Sequence, residues 1–238
     1  YKWKMSWSRL FSLCNTIMPT TIYSETTDSA ILNKNSNFAT ARGSATTSGT
    51  LYNNSSSNVN GGVSTQIARG NYNIYRSFFE FDLSGESGTV ESADIKIFLQ
   101  TTKFPLVAGA NESRIIIVGA TALADSTADF GNVFSSGSTL GASYSDYVSI
   151  STVAGYHTFE INSDGLSAIN SAVGSGNLVI GLMSYTFDHQ NSAPTGSQGA
   201  RFKVYYANNS GTSQDPKIEL TYAATTVTSN ATFFGTNF

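Results

Sequence analysis

Charge is scarce in this sequence. Asp, Glu, Lys and Arg together make up 12% of its 238 residues, about half the share of an ordinary soluble chain. The 13 basic side chains are outnumbered by 16 acidic ones, and the lysines and arginines are scattered singly. No basic face can form to neutralise a phosphate backbone, so nucleic acid is excluded as an expected partner. The single cysteine, Cys14, cannot close an internal disulfide, and no Cys/His spacing suits zinc. No run approaches the ~18 apolar residues of a membrane helix, so no membrane partner is expected. The apolar stretch Leu10–Cys14 is too short and too interrupted for the core of a signal peptide. Histidine occurs only twice, at His157 and His189. No Gly-x-Ser-x-Gly elbow is present, which leaves Ser-His-Asp hydrolysis without its usual scaffold.

What the chain does have is aromatic mass and uncharged polarity. It carries 15 Phe and 12 Tyr, ample material for two sheets packed face to face. Ser, Thr, Asn and Gly fill the expected surface, a skin common in extracellular and virion proteins. The first seventeen residues differ from the rest: both tryptophans (Trp3, Trp7), Cys14, Lys2, Lys4 and Arg9 fall before Met18. Two readings stay open for residues 1–17. They are upstream read-through or a scar, or else an amphipathic docking helix with Trp3, Trp7, Leu10, Phe11 and Cys14 on one face.

From about Thr20 the hydrophobic signal has period two and is broken by Gly, Asn and Ser clusters. Residues 33–62 read as loops and short edge strands. In the strand Ile74–Leu83, Tyr75, Phe79, Phe81 and Leu83 point one way and Arg76, Glu80 and Asp82 the other, with Ile74 and Phe78 among them. In the next strand Ala93, Ile95, Ile97 and Leu99 face in while Asp94, Lys96 and Gln100 face out. Ile115, Ile116, Ile117 and Val118 form a continuous run, the mark of a strand buried on both faces. Residues 122–145 read as loop, followed by strands at 146–151 and 156–161. A short helix is expected over 163–173, capped by Asn162 or Ser163 and ended by Gly174 and Gly176. Further strands are expected at 178–185, 200–206 and 217–222. The inner face is then Ala93, Ile95, Ile97, Leu99, Ile115, Ile117, Phe159, Ile161, Leu178, Ile180, Leu182, Ile218 and Leu220. This pattern predicts an all-β, antiparallel two-sheet β-sandwich or jelly roll with at most one or two short helices. It spans residues 18–222 as one domain, with a Thr/Asn-rich tail over 223–238.

Three stretches, in order, resemble the DNRLRE family. The first is Tyr75-Arg76-Ser77-Phe78-Phe79-Glu80-Phe81-Asp82-Leu83 followed by Val90-Glu91-Ser92-Ala93-Asp94-Ile95-Lys96-Ile97. The second is Phe159-Glu160-Ile161-Asn162 with Leu166, Ile169-Asn170 and Leu178–Leu182. The third runs from Tyr205-Tyr206 through Asp215-Pro216-Lys217-Ile218-Glu219-Leu220-Thr221-Tyr222. The resemblance covers residues 60–222 and implies a jelly-roll sandwich used as a non-catalytic module in cell-surface, secreted and virion proteins. Some relatives are carbohydrate-binding modules with acidic polysaccharides among their ligands. The acidic-basic hexapeptide that names the family is absent here, and no Lys-rich face suited to an anionic glycan is visible.

Candidate chemistry is sparse. Tyr144, Tyr147, Tyr185 and Phe187 flank loops at strand ends, where rings either stack on sugars or plug the ends of the sandwich. His189, in the loop Thr186–Asn191, is a further candidate for ligand contact. His157 alternates onto the side of Phe159 and Ile161 and reads as a half-buried structural residue. Asp125 and Asp129, with Asp146 beyond, can serve as paired acids of a glycosidase, as Ca²⁺ ligands, or as plain surface carboxylates. Arg76, Glu80 and Asp82 share a strand face and read as cross-sheet pairs. No catalytic set and no cofactor is expected, with Ca²⁺ the one metal left open.

The sequence therefore points to a surface-displayed structural or adhesive module, on a virion surface or extracellular. As a virion component it would be a capsid decoration, tail or fibre protein. Its expected partners are a polysaccharide or neighbouring virion or surface subunits, met through multimeric display. One alternative is the carbohydrate-binding module of a secreted carbohydrate-active protein. Another is a jelly-roll polysaccharide lyase or glycosidase, because function lives in sites and not in folds.

Overall fold

The computed structural model describes residues 19–43, 49–53, 62–100, 114–150, 153–195, 202–207 and 211–224. The docking or read-through segment 1–17, and the tail from residue 225 on, lie outside the described residues. In chain order the elements are β1 (Thr20–Tyr23), β2 (Ser29–Asn35), α1 (Phe38–Arg42), β3 (Thr50–Asn53), β4 (Gly62–Ala68), β5 (Asn71–Asp82), β6 (Val90–Leu99) and β7 (Arg114–Gly119). Then follow β8 (Phe134–Ser136), β9 (Thr139–Leu140), β10 (Val148–Ser149), β11 (Gly155–Glu160), α2 (Ser163–Ala172), β12 (Asn177–Ser184), β13 (Phe202–Lys203) and β14 (Lys217–Tyr222). A 3₁₀ turn over Thr127–Gly131 precedes β8, and a π-type turn over Tyr185–His189 follows β12.

The strands make the expected sandwich of antiparallel sheets. The front sheet runs β1-β14-β6-β11, and the back sheet runs β10-β7-β12-β5-β2-β3. Long strand β5 organises the back sheet. One side of it pairs with β2, while its other side is shared between β4 at Asn71–Tyr75 and β12 at Ser77–Asp82. Two seams join the sheets. On one, β13 pairs with β4 and the next residue, Val204, bridges to Leu99 of β6. On the other, edge strands β10 and β11 come together through a Ser145–Ile161 bridge.

Period-two alternation sends the expected residues into the space between the sheets. Phe79, Phe81, Ile95, Ile97, Ile180 and Ile218 are all fully buried there. Ile161, expected inside, is only half-buried because it sits on the β10–β11 seam. Helix α2 closes one end with Ile169 and Ala172. It begins where the sequence signals it, with the Asn162 side chain accepting from the amides of Asp164 and Gly165, each at 3.0 Å.

The back sheet is buried on its outer face too, which a two-sheet reading does not foresee. Ile74, Phe78, Ile116, Val118 and Met183 form a second core with Phe130, Val133 and Phe134. A covering layer built from α1, the 3₁₀ turn and the β8–β9 hairpin supplies these partners. Residues 33–62 thus contain part of β2 and a short helix, and 122–145 is a packed cover. This second core explains the unbroken apolar run of β7, and why Ile74 and Phe78 stand on the side of β5 that also carries Arg76, since a strand buried on both faces needs apolar side chains on each. Gly181 makes the fit possible, because a Cβ there would lie 2.5 Å from Val133 Cγ1.

Arg76 points into this layer and is fully buried. The structural pairing expected of it is made to the turn after the neighbouring strand β12. Its Nε and Nη2 donate to Asp188 Oδ2 and Oδ1 at 2.8 and 2.7 Å, a bidentate pair with the turn after β12. Nη1 and Nη2 also donate to the carbonyls of Phe130 and Arg42, and the guanidinium lies 3.9 Å from the Phe130 ring centre. Glu80 instead accepts from Thr27 and Asn177 at the sheet surface.

A second buried charge has no cation among its hydrogen-bond partners. Asp28, 1% exposed, accepts from Ser24 Oγ, Glu80 N and Ala207 N. Burial pushes its carboxyl well above the usual carboxylate range, outweighing those hydrogen bonds. The folded state therefore binds a proton that the unfolded chain, with a pKa of about 3.9, has already released. Asp28 thus contributes stability at low pH that is lost as pH rises from about 4 towards the raised folded value. Asp28→Asn removes that slope. The difference in Tm, variant minus wild type, is expected to grow more positive from pH 4 to 7 in paired thermal melts. A difference constant across that range would contradict the raised pKa. His157 and His189, whose lowered pKa values destabilise the fold at acid pH, act in both proteins and cancel.

Candidate functional site

The outer face of the back sheet carries on past the edge of its covering layer, and there it meets solvent. Arg114 is the outward residue before Ile116 on β7. Tyr147 enters β10, with Val148 opposite Ile115. Tyr185 follows Ser184, which is itself opposite Ile115. Alternation along three adjacent strands therefore puts Arg114, Tyr147 and Tyr185 on one side.

There they form a ladder of rings. Tyr147 and Tyr185 lie 4.6 Å apart between centroids, and Tyr185 stacks on His189 at 5.5 Å with an interplanar angle of 17°. Arg114 lies 5.0 and 5.1 Å from the ring centres of Tyr147 and Tyr185 and donates to Thr186 Oγ1 at 2.8 Å. The inner end is anchored, since Tyr185 packs on the second core. The outer end is open: Tyr147 is 44% exposed, among the few large hydrophobics that are.

His189 is held by two contacts, to Ser143 Oγ through Nε2 at 2.9 Å and to the Gln190 amide through Nδ1 at 3.0 Å. Burial lowers its pKa, and the opposing effects of Asp188 and Arg42 do not reverse this. The imidazole is therefore neutral at pH 7. A serine hydroxyl on a neutral imidazole is the geometry from which acyl transfer starts. Here the second ring nitrogen faces an uncharged amide, whereas a carboxylate in that place would stabilise the imidazolium.

The structure thus brings together Tyr147, Tyr185 and His189 and separates two other candidates. Tyr144 lies over Gly119 and Gly165, where added Cβ atoms would come within 2.5 and 2.8 Å of it. It packs against the inter-sheet core, and burial raises its hydroxyl pKa. Phe187 is buried at 6% exposure. Neither ring is therefore free to stack on a sugar as Tyr147 is. The acids are dispersed as well. The Asp129 carboxylate accepts from the amides of Ala124 and Ser126 and from Asn132 Nδ2, capping the 3₁₀ turn. Asp125 is exposed. Asp146 lines a different groove on the β10–β11 seam, of about 360 Å³, with Glu160 and Asn162. Among the described residues no group of three or more His, Cys, Asp or Glu side chains is placed to hold a metal. His157 is half-buried opposite Ile97 on β11.

Arg114 and Ser143 escape a reading of the sequence. Arg114 looks like a lone charge before an apolar run, and Ser143 like one serine among many. Only strand register puts them beside the rings. Compared with known proteins, the chain matches no family model and no curated sequence.

Proposed function

We propose that this chain is a non-catalytic, surface-displayed β-sandwich module that binds glycan chains weakly through the Tyr147–Tyr185–His189 ladder. The observation that carries the reading is the ladder itself. Its rings are fixed at one end in a core and exposed at the other, with hydrogen-bonding groups at their edges, as in sites that take an apolar face with a few oriented polar groups. The low-charge skin and the order of the DNRLRE-like stretches support the same class. Display in many copies on a virion or other extracellular surface, as in a capsid decoration, tail or fibre, turns weak single contacts into avidity through effective concentration. The module of a secreted carbohydrate-active protein would use the same face.

A hydrolytic reading is favoured by one contact, Ser143 Oγ to His189 Nε2. Against it stands the environment of the imidazole, where burial opposes the charge a general base must acquire. A glycan array probed with an oligomeric form, beside an assay for released reducing ends and released acyl groups, separates the two. Binding without product is expected. Steady product release that disappears in His189→Ala would establish an enzyme instead.

A further inference from the structure

The outward face of the front sheet, on the opposite side of the molecule from the ladder, holds a second cluster of rings. Phe98 on β6 is opposite Tyr156 on β11, and the rings meet edge-on at 5.1 Å. Tyr205 meets Phe98 edge-on at 5.4 Å. Lys217 Nζ lies 5.2 Å from the Tyr156 ring centre. Tyr23, opposite Lys217 on β1, is 40% exposed. An outward sheet face facing only water has no need of such rings, and the neighbouring outward positions, Asp94, Lys96 and Thr158, are polar.

Asp215 supplies the second observation. It lies just before β14 and meets the cluster at the tip of Tyr156. Tyr156 Oη donates to its carbonyl at 2.9 Å. Asp215 is 4% exposed, yet its Oδ1 has no hydrogen-bond partner. A buried carboxylate oxygen without a donor is costly and uncommon. A ligand hydroxyl is a donor that would relieve it. Tyr156 Oη also donates to the Ser213 carbonyl at 3.2 Å, which places the exposed turn 211–213 at this edge of the cluster.

Charge restricts what can settle here. Besides Asp215 the face carries Asp94, Glu160 and Glu219 against Lys96, Lys203 and Lys217, and Glu219 engages both Lys96 and Lys217 at 2.6 and 3.0 Å. An anionic polymer would meet uncompensated carboxylates.

We propose that this face is a second saccharide site, taking one pyranose of a neutral polysaccharide, with the sugar's CH face on Tyr156 and Tyr23 and a hydroxyl donating to Asp215 Oδ1 as the 211–213 turn gives way. The proposal rests on the glycan-binding reading of the domain but on none of the residues of the ladder. Two sites on opposite sheets let one molecule bridge two polysaccharide strands.

The test uses the full chain carrying Tyr147→Ala and Tyr185→Ala, so that the ladder is silent. Amide NMR shifts are followed while cellohexaose, xylohexaose or mannohexaose is added, with hexagalacturonate as the anionic counterpart. Shifts at Phe98, Tyr156 and Asp215 are expected with at least one neutral hexaose and none with hexagalacturonate. Adding Tyr156→Ala is expected to weaken the response by about tenfold or more, the loss of an anchoring ring. Asp215→Asn, whose amide keeps the shape, is expected to weaken it with the fold's spectrum intact. No shift at these amides with any neutral hexaose, or an equal response to hexagalacturonate, overturns the proposal. Loss of all wild-type binding on silencing the ladder, without shifts here, leaves the first site standing and removes the second. Shifts here, with wild-type affinity indifferent to the ladder, do the reverse.

Discussion

Asp188→Ala is expected to destabilise the protein by about 3–5 kcal/mol, the usual cost of removing one partner of a buried ion pair. The reason lies in what the substitution leaves behind. Arg76 is fully enclosed, and Asp188 takes two of its donor positions. Without the carboxylate a guanidinium charge remains in a shell of Phe130 and Phe134 with only the carbonyls of Phe130 and Arg42 to satisfy it. Arg42 loses a neighbour too, since its Nε lies 3.6 Å from Asp188 Oδ1. Replacing both partners by apolar residues, as in Arg76→Met with Asp188→Leu, removes the charge along with the pairing. Its cost is expected to be well below that of Asp188→Ala, because buried pairs seldom outperform packed apolar groups. Urea denaturation of both variants checks this. A single variant costing under about 1 kcal/mol would mean that water reaches Arg76, and that the covering layer is not seated as described.

Ile97→Ala is expected to cost about 2–5 kcal/mol by the same measurement. Ile97 is fully buried on the inward face of β6, and its cross-strand neighbour on β11 is His157. Truncation removes a branched side chain from between two sheets that other strands hold apart, so the space cannot collapse. A loss under about 0.5 kcal/mol would put β6 with its faces reversed, since a one-residue slip of register sends every side chain to the other side.

The inter-sheet core was legible because it depends on local alternation alone. Ala93, Ile95, Ile97 and Leu99 declare a face without reference to any other strand. Helix α2 was legible for a related reason, with Asn162 as cap and Ile169 on the buried face all within one segment. The covering layer was not. Its residues at 122–145 are rich in Gly and Ser, and their large side chains, Leu123, Phe130, Val133, Phe134, Leu140 and Tyr144, do not alternate as a strand's would. What places Phe130, Val133 and Phe134 is the outer face of β5 and β7, and β5 lies about fifty residues away in sequence. Arg76 shows the same limit. Its strand position was plain, but its partner is 112 residues distant, in a turn. The candidate site divides along that line. Tyr147, Tyr185 and His189 announce themselves as rings near strand ends, but whether a ring faces solvent or core depends on strand register. Tyr144 is turned onto the inter-sheet core, Phe187 is buried in the turn after β12, and register brings Arg114 and Ser143 to the ladder.

The claim that the ladder is the binding face is tested most directly by one paired titration. The glycan that binds best on the array is titrated calorimetrically into wild type and into Tyr147→Ala/Tyr185→Ala, with a thermal melt of each. Tyr147 is 44% exposed but Tyr185 packs on the second core, so the variant is expected to melt somewhat lower yet stay folded at the titration temperature, while affinity falls by about tenfold or more, as for a truncated aromatic anchor. Equal affinity in the two proteins, with both folded, would contradict the account.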